Sequence, residues 1–253
     1  MGANPAIWNS NPRAVLLDVG FTLTFLDGER IARLAAAVGL SVLPAAIEAA
    51  ESTLRRETAA GNGPPSVALA TAANALRREA PAFYRRLLQL AMAPGDGGAD
   101  RLDAAANALW TAHLKDNLWC RVGPGVNAAL ARLRNAGILL AVVSNSEGTV
   151  AAMLEAVGLA RHLEIVIDSW VVGVEKPDPR IFRFALDHLS VAAHDAVMVG
   201  DTPAADVAGA EAAGICAVLL DPLGVYPAVN VPRFTDVAAF ADALLRDRAR
   251  RAP

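Results

Sequence analysis

The stretch AVLLDVGFTLT, residues 14–24, decides the reading of this chain. Its first part, AVLLDV (14–19), is a short apolar run that carries Asp18 near its end. Such a run reads as a buried strand. A Thr-rich segment follows and gives way to the turn-forming Asp27-Gly28. Similar apolar runs recur as ILLAVV (138–143), EIVI (164–167), AVMVG (196–200) and ICAVLL (215–220). Helical spacing is expected over 125–135, 148–157, 178–189, 204–213 and 235–248. Strands that alternate with helices and read as continuous apolar runs predict an α/β fold. Its core is a doubly wound, Rossmann-like parallel sheet covered on both faces. In such sheets ligands bind beyond the carboxyl ends of the strands, so the residues there matter most.

Between Glu29 and about Trp119 the pattern changes. Five Ala/Leu/Arg-rich segments with helical spacing follow one another, with no convincing strand. Breaks are expected near Gly39, at 61–65, near Pro81 and at 94–98. This predicts an all-helical insertion, and 253 residues are enough for a core plus such an insertion.

Composition narrows the function classes. Hydrophobic residues make up 54% of the chain, but 55 positions are Ala, which favours helix and carries little apolar area. No stretch of ~18 uncharged apolar residues exists, so no spanning helix and no membrane association are expected. Against 26 acidic residues stand 23 basic ones, and a net charge of −3 gives no footprint for nucleic acid. Of the basic residues only Lys115 and Lys176 are lysines, so chemistry that needs a lysine has two candidates. Cys120 and Cys216 have no metal-ligand spacing. The N-terminal segment lacks the features of a secretory signal, and a cytoplasmic protein is expected. The arginines at 246, 248, 250 and 251 read as a helix end whose cations complement the dipole.

The strand ends carry polar residues in a coherent order. Asp18 closes the first strand, Ser144-Asn145-Ser146 the next core strand, Lys176 precedes a helix within VGVEKPDP, and Asp201 and Asp206 follow within GDTPAAD. Two carboxylates, Asp18 and Asp201, suit a hard cation such as Mg²⁺. A carboxylate can also be a nucleophile that forms an acyl-phosphate. Lys176 and the metal can neutralise a phosphoryl group under attack, and Ser144 can donate to it. The N–H groups near Glu147 and Gly148 would point at the same place.

Together DVGFTLT, VVSNS, EKPDP and GDTPAAD resemble the haloacid dehalogenase-like hydrolase superfamily, dominated by Mg²⁺-dependent phosphatases. The resemblance implies an α/β core of residues 1–27 and 119–253 with a helical cap over 28–118. It implies Asp18 as nucleophile and metal ligand, the Gly20 carbonyl and Asp201 as further ligands, and Asp206 supporting the metal waters. Ser144 and Asn145 would contact the transferred group, and Lys176 would pair with Asp18 and the phosphoryl. The substrate implied is a small phosphorylated metabolite.

One position departs from the pattern. The family's phosphatases carry a second Asp two residues after the nucleophile as general acid and base, and here that residue is Gly20. General acid–base catalysis contributes typically ~10²–10⁴-fold, so slow turnover is expected unless another group substitutes. Asp27 is the one nearby carboxylate weighed for that role. Two other readings stay open. One is a binding or regulatory protein that retains the site. The other is non-phosphate chemistry, dehalogenase-like or phosphonatase-like. The retained Asp201 weighs against a dehalogenase, and the placement of Lys115 at the far end of the cap region weighs against a phosphonatase. His113, His162, His188 and His194 are given no role.

Overall fold

The computed structural model describes residues 11–61, 73–93 and 98–251, with backbone alone for 73–80. The expected breaks at 61–65 and 94–98 fall mostly outside the described residues, as does the N-terminal segment 1–10. In chain order the elements begin with β1 (Ala14–Leu17) and β2 (Thr24–Phe25). Four helices follow: α1 (Gly28–Ala37), α2 (Pro44–Ala59), α3 (Ala73–Ala91) and α4 (Ala99–Lys115). Next come β3 (Arg121–Val122), α5 (Val126–Asn135), β4 (Leu139–Ser144), α6 (Val150–Ala156) and β5 (Ile165–Asp168). The chain continues through α7 (Ser169–Val172), α8 (Pro179–Leu189), β6 (Ala196–Gly200) and α9 (Ala208–Ala212). It closes with β7 (Cys216–Leu220), β8 (Arg233–Phe234) and α10 (Val237–Arg251).

The main sheet has the order β5-β4-β1-β6-β7-β8, and every pairing in it is parallel. The strand order reverses around β1, where a doubly wound sheet opens its ligand crevice. Side-chain alternation divides the core cleanly, because successive residues of a strand point to opposite faces. Val15 and Leu17 pack with Leu130, Leu133, Leu154, Phe240 and Leu244 of α5, α6 and α10. Leu16 packs with Ile181, Phe182, Ala185 and Leu189 of α8 and with Ala210 of α9. Burial on both faces is why these strands read as unbroken apolar runs.

The helical insertion builds its own apolar cluster from Ile31, Ile47, Leu54, Tyr84, Leu87 and Leu109. Pro81 lies inside one of its helices. The expected break does not occur, because α3 runs through the proline. An internal proline costs about 3 kcal/mol. Beyond it, Phe83, Tyr84, Leu87, Leu88 and Ala91 bury one face of α3 in that cluster, and this packing outweighs the lost hydrogen bond. Four helices are therefore described where five segments were expected.

Two strands too short to show in the sequence tie the insertion down. β2 and β3 pair antiparallel where the chain leaves and re-enters the sheet region. Glu51 of α2 accepts the Leu26 N–H at 2.8 Å, and Arg121 of β3 donates to the Leu26 carbonyl at 3.1 Å and to Glu51 at 3.3 Å. Asp27 caps α1 by accepting the Arg30 N–H at 2.9 Å.

Burial pushes the Glu51 carboxyl up from 4.5 to about 7, against the pull of the Leu26 N–H and Arg121. Between those values the folded protein holds a proton that the unfolded chain has released. Stability contributed by this group therefore falls as pH rises through that window and levels off above it. The size is roughly 3 kcal/mol at most. Glu51→Gln keeps an acceptor for Leu26 but cannot ionise. Urea unfolding at pH 5 to 8 is expected to show the variant gaining on the wild type as pH rises. Parallel stability curves would show that Glu51 does not titrate there.

Candidate active site

Asp18 lies just beyond β1, whose neighbours β4 and β6 end in Ser144 and Gly200. The parallel register therefore brings Asp18, Ser144 and Asp201 to one end of the sheet. Lys176 arrives from the loop between α7 and α8 and is almost wholly buried. Its Nζ donates to Asp18 Oδ1 and to Asp206 Oδ1, each at 2.7 Å. Asp206 sits in a π-helical turn, Pro203–Val207, and its second oxygen accepts the Thr202 N–H at 2.9 Å. Such turns often mark functional positions in helices. Asp201 accepts from the Thr202 hydroxyl at 3.2 Å and pairs with Arg55 of α2 at 3.4 Å.

Charge is crowded here. Burial raises the Asp18 carboxyl to about 6 even though Lys176 lies against it. Burial raises Asp201 to about 7, opposed by Arg55 and reinforced by the like charges of Asp18 and Asp206. Burial alone would lower Lys176, but attraction from Asp18 and Asp206 overcomes it and holds the ammonium protonated. Oxygens of Asp18, Asp201 and Asp206 lie within 4.8 Å of one another. Three carboxylates against one lysine and one arginine leave excess negative charge, and an all-oxygen donor set of this kind fits a hard divalent cation.

Asn145 makes two hydrogen bonds to the Lys176 backbone. Its Nδ2 donates to the Lys176 carbonyl at 2.9 Å and its Oδ1 accepts the Lys176 N–H at 2.8 Å. It lines the site cavity as well. Asp168 accepts the Gly148 N–H at 3.0 Å, so that donor, expected to face a phosphoryl group, is already taken. Asp27 is spent on capping α1 and does not line the site cavity. Gly20 does line it, and the space next to it is bounded by Trp119, whose ring lies 3.5 Å from where a Cβ would stand. Trp119 also packs edge-on to Phe21. Lys115 is exposed at the end of α4 and takes no part in the cavity.

His113 lines the site although it has no ligand spacing in the sequence. Buried on α4, its Nε2 lies 3.2 Å from Glu147 Oε2, and both residues line the same cavity as Asp18. Its one signal in the sequence is its place on the apolar face of an inserted helix, and the Glu147 side chain was likewise unmarked.

A doubly wound parallel sheet thus gathers a lysine-held aspartate and two further carboxylates at the carboxyl ends of its strands. The family model for haloacid dehalogenase-like hydrolases matches residues 12–214, and the chain belongs to this family. It is 37% identical over 148 residues to a phosphoserine phosphatase of Thermus thermophilus, covering 58% of each chain. It is 38% identical over 177 residues to a phosphoglycolate phosphatase of Cupriavidus necator, covering 68% of this chain and 71% of that one. The chain thus spans less than two thirds of the length of the first of these relatives. Among solved structures, a phosphatase of the same superfamily from Thermococcus onnurineus shares the fold. Its TM-score is 0.57 at 21% identity, over 92% of this chain and 97% of that one. Among the described residues no helix is long and apolar enough to cross a membrane.

Gly200 carries a further constraint, because a Cβ there would overlap the Asp206 carboxyl. That carboxyl is pinned by Lys176 and Thr202 and has little room to yield. Gly200→Ala is expected to cost about 1–3 kcal/mol in urea unfolding, as overpacking does. A variant as stable as the wild type would show that Asp206 can move aside freely.

Proposed function

We propose that this protein is a Mg²⁺-dependent phosphatase of a small phosphorylated metabolite, working through an aspartyl-phosphate on Asp18. The observation that carries the reading is the buried Asp18–Lys176–Asp206 network with Asp201 beside it. The phosphatase names of the relatives from Thermus and Cupriavidus support it. Residues 1–27 and 119–253 form the catalytic core in this reading, and 28–118 form a cap over its edge. Two contacts across that boundary support the cap role: Arg55 to Asp201 and His113 to Glu147.

Asp18, the Gly20 carbonyl and Asp201 would hold the ion, with Asp206 supporting its waters. The ion supplies charge neutralisation for the phosphoryl oxygens. The rest of the chemistry belongs to the chain. An Asp18 oxygen attacks phosphorus, a P–O bond forms and the ester P–O bond breaks. Lys176 shares the charge of nucleophile and phosphoryl, and Ser144 donates to a phosphoryl oxygen. Asn145 holds the Lys176 backbone in place for this. Water then cleaves the aspartyl-phosphate and releases phosphate. No carboxylate stands at Gly20 to protonate the leaving oxygen, so the chain lacks the family's usual proton donor at that step.

That absence favours a second reading, a protein with the family's fold and metal site that binds a phosphorylated ligand and turns it over negligibly. A phosphomonoester panel with saturating Mg²⁺ separates the two. The first reading expects steady turnover that is lost with chelator and lost in Asp18→Asn. No turnover with any ester would favour the second. Activity that survives chelation would point instead to dehalogenase-like chemistry.

Gly20→Asp tests the missing acid directly. A Cβ at this position would lie 3.5 Å from the Trp119 ring, an ordinary contact. Steady turnover is expected to rise on the order of 10²-fold. An unchanged rate would mean that another step limits the reaction.

A further inference from the structure

The cavity that holds Asp18, Ser144 and Lys176, about 80 Å³ in volume, is also lined by Glu147. Glu147 is buried, and its two oxygens have different fates. Oε2 faces His113 Nε2 at 3.2 Å and the Ser146 hydroxyl at 3.4 Å. The Leu118 N–H donates to His113 Nδ1 at 3.2 Å, so the ring hydrogen sits on Nε2 and points at Glu147. Stacking of His113 on Trp110, centroids 5.3 Å apart, fixes the ring plane. Oε1 is equally buried and has no hydrogen-bond partner among the described residues. A buried acceptor left without a donor is destabilising.

No donor among the described residues reaches Oε1. Asn117 gives its amide N–H to Thr149 at 3.0 Å and accepts the Trp119 N–H with its oxygen at 2.8 Å. Lys176, the one lysine or arginine among the residues lining this cavity, is bound to Asp18 and Asp206. The same cavity is lined by the apolar and aromatic side chains of Val150, Met153, Phe83 and Trp119. Aromatic faces attract a cation and give nothing comparable to a neutral hydroxyl.

We infer that Glu147 Oε1 receives a primary ammonium group on the leaving-group side of the ligand. The site then takes aminoalkyl phosphomonoesters in preference to hydroxylated or purely apolar ones. This rests on the phosphatase reading only for placing a phosphoryl group at Asp18; the ammonium subsite stands on Glu147 and its surroundings.

Three phosphonates that cannot be hydrolysed at an ester bond test it: 3-aminopropylphosphonate, 3-hydroxypropylphosphonate and butylphosphonate. Calorimetric titration into the wild type with Mg²⁺ is expected to show the amine binding at least about tenfold tighter than either other ligand. In Glu147→Gln that preference is expected to fall to within about threefold. Equal binding of the amine and butyl ligands overturns the inference, and so does a hydroxyl ligand that matches the amine. Binding of none of the three, or a preference that persists in Glu147→Gln, overturns it as well. Circular dichroism checks the fold of the variant, and if the variant does not fold, the wild-type ligand comparison alone decides. Turnover of the ester panel is read separately. Amine-selective binding without turnover would sink the phosphatase reading and keep the subsite, and turnover without amine selectivity would do the reverse.

Discussion

Lys176 shared between Asp18 and Asp206 is the constraint on which the site depends. All three side chains are buried, and an ion pair out of water persists only when its partners and hydrogen bonds are complete. Completion takes several independent features. Asn145 grips the Lys176 backbone on both its N–H and its carbonyl. The π-helical turn swings Asp206 back toward β6, and Gly200 leaves the space that its carboxyl needs. Removing the lysine would strand two carboxylates in the interior, a loss of about 3–5 kcal/mol for broken buried pairs.

The helical insertion contributes charge as well as cover. Arg55 lies on α2 one turn beyond Glu51, so one face of that helix both holds the Leu26 N–H and reaches Asp201. From α4, His113 reaches Glu147, which follows Ser144-Asn145-Ser146 at the end of β4. Movement of the helices away from the sheet would break both contacts. The charge felt by Asp201 and Glu147 is therefore tied to where the insertion sits.

Much of the sheet was legible because its strands are buried on both faces. Continuous apolar runs at 138–143, 164–167, 196–200 and 215–220 correspond to β4, β5, β6 and β7 within a residue or so at each end. β2, β3 and β8 are two residues each and carry no periodicity to read. Pro81 misled because a local rule met a tertiary one: α3 keeps its helix by burying an apolar face that spacing alone cannot weigh. At the site, Asp18, Ser144, Lys176, Asp201 and Asp206 were readable as polar residues that follow strands or open helices, in a specific order. Asp27 and the Gly148 N–H looked available in sequence and proved occupied by local capping and by Asp168.

The sequence by itself determined the alternation of strands and helices, the carboxylates at their ends and the glycine at position 20. These follow from local pattern, since burial on two faces, turn chemistry and residue identity are written along the chain. Only the tertiary structure decided which partner each polar group finds. Lys176 meets Asp18 from 158 residues away, His113 meets Glu147 from 34 and Arg55 meets Asp201 across the boundary between insertion and sheet. The desolvation that raises Asp18 and Asp201, and the unpaired oxygen of Glu147, arise from that convergence. Burial and proximity are properties of the packed chain, and no spacing in the sequence encodes them.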